Sequence, residues 1–250
     1  MSDSHAPAFR RAVARQAATL FADVLSLDVD TSAVLELGFG AGQLTQQLLP
    51  KVRQLVAVDR SRRAVERLQQ RADDQGLTSD ELLVALRAVP VSETADGADD
   101  AVHSPEQIVN DVDVDLTLIQ ALPCCDAAVS ALVYHHLAAP VAATRWQMQH
   151  LQPGGYVAMV DIWRDATTEH LAAAVPEATR ARSCWHKACT PAEAVAWFTA
   201  AGLEQVSWRP AFSVPVPSLE HQPRSLPESD AGDCMRVRCF LVTGRVARAF

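Results

Sequence analysis

Lysine is nearly missing from this chain: of its 22 basic residues, all but Lys51 and Lys187 are arginine. That is a bias of composition rather than of function. The balance of charge says more, since 30 acidic residues against 22 basic ones give a net charge of −8. Such a chain repels a polyphosphate partner unless its basic groups gather on one face. Long apolar runs are also missing, so nothing matches the roughly 20-residue segment that a membrane-spanning helix needs. The opening "MSDSHAPAFRRAV" lacks the apolar stretch and small-residue cleavage site of a secretory signal. Arg10, Arg11 and Arg15 among alanines keep a mitochondrial presequence open, whereas Asp3 and the helical pattern that follows point to the cytoplasm, the expected location. The six cysteines form no C-x-x-C pair, which excludes a zinc ribbon or a thioredoxin-type redox pair. Cys184, His186 and Cys189 lack a fourth ligand at finger spacing, so no metal is expected and the thiols read as reduced and partly buried.

What is present is a chain of 250 residues, 49% hydrophobic, with no long flexible linker between two periodic halves. One domain over residues 1–250 is expected. Within residues 1–29, Val13, Ala17, Leu20, Phe21 and Val24 recur at helical spacing and mark an amphipathic leading helix. "SAVLELG" reads as a buried strand, "GQLTQQLLPKV" as a helix and "QLVAVD" as a second strand. "SRRAVERLQQRADD" follows as a helix capped by Ser61. This alternation predicts parallel pairing with right-handed crossovers.

The rhythm then breaks. "SDELLVALRAV" reads as a helix, and residues 90–110 as an acidic, exposed insertion. "DVDVDLTLIQ" reads as the third strand, with Val112, Val114, Leu116 and Leu118 on one face. "DAAVSALVYHHL" is the next strand and its exit. "PVAATRWQMQHLQPGG" reads as a helix closed by Gly154 and Gly155, and "YVAMVDIW" as the strand after it. "TPAEAVAWFTAAG" opens with a capping box from Thr190 to Glu193 and closes at Gly202. Two last strands, "LEQVSWRPAFSV" and "MRVRCFLVTGRV", flank a Pro-rich loop over 213–233.

The chemistry gathers at "ELGFGAG", where Gly38, Gly40 and Gly42 join the first strand to its helix. Glycines there let the main chain approach a ligand with no Cβ in the way, in the crevice where open parallel sheets bind ligands. Asp59 closes the neighbouring strand, where a carboxylate can accept both hydroxyls of a ribose. A nucleoside derivative is therefore expected. A dinucleotide motif wants a small residue at position 43, which is Gln43, and a pyrophosphate would be repelled by Glu36.

The spacing E-L-G-F-G-A-G closely resembles that of the class I S-adenosylmethionine-dependent methyltransferases. In that family the acid at the position of Glu36 helps orient the methionine end of the cofactor, whose cationic groups favour acidic neighbours. The resemblance extends over roughly residues 30–210. "LPCCDAAVSALVYHHL" looks like the fourth-strand segment of the type 11 methyltransferase domain, "LQPGGYVAMVDIW" like its fifth strand, and "AGLEQVSW" like its sixth. It implies a Rossmann-like α/β fold. The sheet would have seven mostly parallel strands, helices on both faces and a C-terminal antiparallel hairpin. The resemblance places S-adenosyl-L-methionine against Glu36, Gly38, Phe39, Gly40, Gly42, Asp59 and Ser130. The family's acid after the third strand is replaced at Gln120 and Ala121; Asp115 is the alternative in another register.

Methyl transfer is an in-line displacement, so positioning and exclusion of water come first. An oxygen or nitrogen acceptor can also need a general base. Tyr134, His135 and His136 follow the fourth strand, Asp161 the fifth, and His186 precedes the capping box. His135, His136 and Asp161 are the catalytic candidates, with packing, capping and structural hydrogen bonding as the competing roles. Trp163, Trp185 and Trp197 are candidates for an apolar pocket, with the core as the alternative. "ELGFGAGQLTQQLL" also resembles the rRNA adenine dimethylases, but their Asn-Leu-Pro-Tyr element is here Ala121, Leu122, Pro123 and Cys124. The lost amide and aromatic, with the net charge, favour a small-molecule acceptor over nucleic acid. A non-catalytic binding role for the same fold is the remaining alternative.

Overall fold

In the computed structural model, residues 6–86, 124–173, 184–216 and 235–248 are described. They form a seven-stranded sheet in the order β3-β2-β1-β4-β5-β7-β6. The strands are β1 (Ala33–Leu37), β2 (Gln54–Asp59), β3 (Leu82–Leu86), β4 (Cys125–Ala131), β5 (Leu151–Ile162), β6 (Glu204–Pro215) and β7 (Arg236–Arg245). The first five pair in parallel; β7 runs antiparallel to both β5 and β6. This is the expected α/β architecture with its antiparallel hairpin.

All five residues of β1 are buried. That follows from its central place, with β2 on one side and β4 on the other, because a strand covered on both faces reads as a continuous apolar run. Helices α1 (Ala6–Leu25), α2 (Gln43–Leu48), α3 (Arg62–Asp74) and α5 (Ala166–Ala173) pack on one face. There Phe21, Leu48 and Leu68 meet Val34, Leu55 and Val129. Helices α4 (Pro140–Met148) and α6 (Pro191–Ala201) cover the other face, where Trp146 and Phe198 meet Leu35, Val56 and Met159. No helix among the described residues is long and apolar enough to cross a membrane.

Three sequence expectations are corrected. Residues 82–86 of the expected helix are strand β3, paired in parallel with β2 from Leu55↔Leu82 to Asp59↔Leu86. Alanine and leucine favour helix intrinsically, but the open edge of β2 supplies backbone partners that an isolated segment lacks. Gly154 and Gly155 do not close a helix. α4 ends at Met148, and both glycines lie inside β5, where its register against β4 jumps from Cys125↔Leu151 to Ala127↔Tyr156. A Cβ on Gly155 would stand 2.9 Å from the Asp126 carbonyl oxygen, so the glycine answers to the bulge. Lastly, 213–215 belong to β6 rather than to the Pro-rich loop. The acidic insertion, the strand expected over 111–120, and the rest of the Pro-rich loop from 217 lie outside the described residues.

Candidate active site

β1 leads straight into the glycine bend. The Gly38 amide donates to the Val58 carbonyl at 2.7 Å, tying the bend to β2. Gly38 has φ of 74°, and a Cβ there would fall 2.7 and 2.8 Å from the two methyl carbons of Val133. Gly40, at φ 54°, differs: nothing among the described residues lies within 4 Å of the place its Cβ would take. The first glycine is required by packing; the second leaves main chain uncovered by any described residue. Gly42 is the N-cap of α2.

Asp59 holds the bend from the side. Its Oδ2 accepts from the Gly40 amide at 2.8 Å and its Oδ1 from the Ser61 amide at 2.9 Å. Each carboxylate oxygen keeps a lone pair for a further donor. Asp59 therefore has a scaffolding duty that its position in the sequence did not reveal.

Glu36 sits on the β1 face that carries Val34 and packs toward α1 and α2, and is 1% exposed. Its Oε2 has no hydrogen-bond partner among the described residues, nor has the hydroxyl of buried Thr45 on α2. Burial pushes the Glu36 carboxyl up to about 8; adjacent Thr45 pulls it down and the charge of Asp59 raises it further. Thr45 was not singled out as a site residue from the sequence. Its signal was available, because it is a hydroxyl buried between Leu44 and Leu48 on the short helix that follows the bend.

Across the strand ends lies a second polar group. The Tyr134–His136 turn follows β4 and brings the His135 ring onto Asp161 of β5. His135 Nδ1 and Asp161 Oδ1 are 2.5 Å apart, and both side chains are buried. The His135 amide also donates to Asp161 Oδ2 at 3.2 Å, and the Ile162 amide to Oδ1 at 2.7 Å. An ionised carboxylate only accepts, so the pair fixes the His135 proton on Nδ1 and leaves Nε2 with its lone pair. Nε2 has no partner among the described residues. His136 is exposed, with its ring centroid 4.0 Å from that of His135. Partial desolvation first, then the His135, Lys187 and Arg10 charges, hold its imidazole down at about 4 against a smaller pull from Asp161.

The remaining candidates divide. Tyr134 is fully buried, its hydroxyl donating to Gln147 Oε1 at 3.0 Å and lying 2.9 Å from Thr144 Oγ1. It anchors the turn that carries His135, and burial raises its phenol, which unsuits it as a base. Phe39 is buried in the cluster with α1, so only its backbone borders the bend. Ser130 lies on β4 with its hydroxyl buried and unpartnered among the described residues, one residue past the Glu36↔Val129 pair. Strand alternation puts it on the opposite face of the sheet from Glu36. Trp185 packs edge-on against Phe9 at 5.2 Å, and Trp197 stacks with Tyr134 at 6.3 Å. Trp163 meets Trp208 and Phe240 edge-on, beneath the Arg238 guanidinium. These aromatics make packing contacts. Gln120, Ala121 and Asp115 lie outside the described residues, as does the side chain of His186.

A cofactor with a cationic end suits these residues. Among the described residues, Gly40 gives uncovered main chain, Asp59 an acid beside it, and Glu36 a buried oxygen without a hydrogen-bond partner. A pyrophosphate would meet two acids instead. Sheet order, glycine bend and paired acids define a class I methyltransferase fold, whose cofactor by family and fold is S-adenosylmethionine. A family model described as a methyltransferase domain matches residues 9–210, and the chain belongs to that family.

Solved structures agree on the fold. A SAM-dependent methyltransferase from Aquifex aeolicus superposes with a TM-score of 0.55 at 14% identity, over 94% of this chain and 92% of that one. The YcgJ protein from Bacillus subtilis gives 0.59 at 16%, over 93% and 98%. The N-methyltransferase NodS from Bradyrhizobium japonicum gives 0.51 at 19%, over 94% and 95%. No curated protein matches the chain by sequence.

Proposed function

We propose that this methyltransferase modifies a small-molecule acceptor whose O–H or N–H is deprotonated by His135. The observation that carries the reading is the buried His135–Asp161 pair, with Nε2 left without a partner among the described residues. Glu36, the Gly38–Gly42 bend and Asp59 would hold the cofactor, which when bound supplies an electrophilic methyl on a sulfonium. Gln120 and Ala121, beyond the described residues, would complete that pocket. Asp161 fixes the Nδ1 proton, Nε2 takes the proton of the acceptor, and the developing imidazolium is stabilised by the carboxylate beside it. His136 serves the rim: its depressed value keeps it neutral at pH 7, so it adds no cation beside the reacting group. The charge of −8 and the missing amide and aromatic at Ala121 and Cys124 support a small molecule over nucleic acid.

The test pairs binding with transfer. Calorimetry should show S-adenosylhomocysteine binding the wild type, H135A and D161N alike. Methyl-labelled cofactor incubated with a cell extract should label the metabolite fraction. With the purified acceptor, H135A should lose roughly 10²–10⁴ in kcat, the usual contribution of a positioned base. Label appearing in RNA or protein alone would overturn the acceptor class, and undiminished H135A turnover would overturn the base.

A further inference from the structure

A carboxyl group 1% exposed, with one oxygen unpartnered among the described residues, is a costly place to keep a negative charge. Glu36 cannot remain ionised there without either a donor or a cation. Apart from Thr45, no described side chain supplies one. α2, "QLTQQL", carries no charged residue, and Arg10, Arg11, Arg15 and Asp23 of α1 are exposed. Arg71 of α3 reaches the bend but donates to the Ala41 carbonyl and the Arg67 carbonyl. From β2 comes Asp59, whose charge opposes a second anion close by. Beside Glu36 stands the buried Thr45 hydroxyl, close enough to favour the ionised carboxylate and with no completed hydrogen bond among the described residues.

We propose that Glu36 and Thr45 form a proton-exchanging receptor for the ammonium of the cofactor's methionine end: Glu36 is neutral in the empty protein and releases its proton to solvent as the cation enters. The inference rests on the cofactor reading above and adds the exchange of charge and the part played by Thr45. One buried cation replaces one proton, so the pocket never holds an unpaired charge. The Thr45 hydroxyl donates to the ionised carboxylate and so helps the proton leave. The elevated Glu36 value agrees with this reading, as does the smaller lowering effect of Thr45.

The sign for the empty protein follows from linkage. A carboxyl raised from 4.5 to about 8 contributes stability that is whole below 4.5 and is lost as pH rises through 8. The melting temperature of the wild type should therefore fall over that window, and that of E36Q should lose this part of the fall.

Calorimetry with S-adenosylhomocysteine in phosphate and Tris buffers, which differ in ionisation enthalpy, counts the protons. At pH 7 the wild type should release about one proton per ligand, and its affinity should rise about tenfold per pH unit between pH 6 and 7.5. E36Q should release none and bind with a flat pH profile. T45V should still release the proton but bind several-fold more weakly. Binding without proton release by the wild type would overturn the exchange and leave the cofactor reading intact. Unchanged affinity in T45V would remove Thr45 from the receptor. No binding at all would overturn both readings together. Should E36Q fail to fold, proton counting and melting of the wild type decide alone.

Discussion

Methyl groups added at positions 38 and 40 would meet opposite surroundings, though both glycines have positive φ. At Gly38 the new carbon collides with Val133, which precedes the turn carrying His135. G38A should lose about 2–4 kcal/mol, from left-handed strain plus overpacking, read as a lowered urea midpoint. At Gly40 the carbon meets none of the described residues, so G40A should lose only about 1–2 kcal/mol of strain. Its larger effect should be on the ligand, with S-adenosylhomocysteine binding at least about tenfold weaker, since each 1.4 kcal/mol of clash is a decade in affinity. Equal binding losses would show that the open side of Gly40 does not face the cofactor.

Among the elements, α6 states its own start. Thr190 Oγ1 accepts from the Glu193 amide at 3.2 Å, and Glu193 Oε2 accepts from the Thr190 amide at 2.7 Å. Such a box depends on residues three apart, so it was legible as T-x-x-E. The same holds for the Ser61 cap of α3, which accepts from the Ala64 amide. T190A should cost about 1 kcal/mol in chemical unfolding and leave S-adenosylhomocysteine affinity unchanged, because α6 covers the face opposite Glu36. A changed dissociation constant would tie α6 to the cofactor side. β3 and the Gly154–Gly155 bulge were misread for the converse reason. Their conformations are set by β2 and β4, which are neighbours only in the folded sheet.

At the scale of the molecule, α1 is part of the sheet's cover rather than an appendage. Phe21 is fully buried and belongs to the cluster that also holds Leu48, Val129 and Val160. F21A should therefore destabilise the protein by about 3–5 kcal/mol, the usual cost of an aromatic cavity, measured by denaturant unfolding. A loss below 1 kcal/mol would show that α1 docks too loosely to shape the site. The charge of the molecule works in the same direction as its site: with a net −8, it favours the approach of a cationic cofactor.

By itself the sequence determined the alternation of strands and helices, the capped helix starts, and the glycine bend flanked by Glu36 and Asp59. Those features lie within a few residues of one another, or repeat with the period of one element. Tertiary structure alone decided that His135 belongs to Asp161, 26 positions further on. It also decided that Asp59 clamps the bend, that Tyr134 and the tryptophans pack, and that Thr45 faces Glu36. Each of these depends on which strands lie side by side and on the depth of burial, and a linear spacing encodes neither.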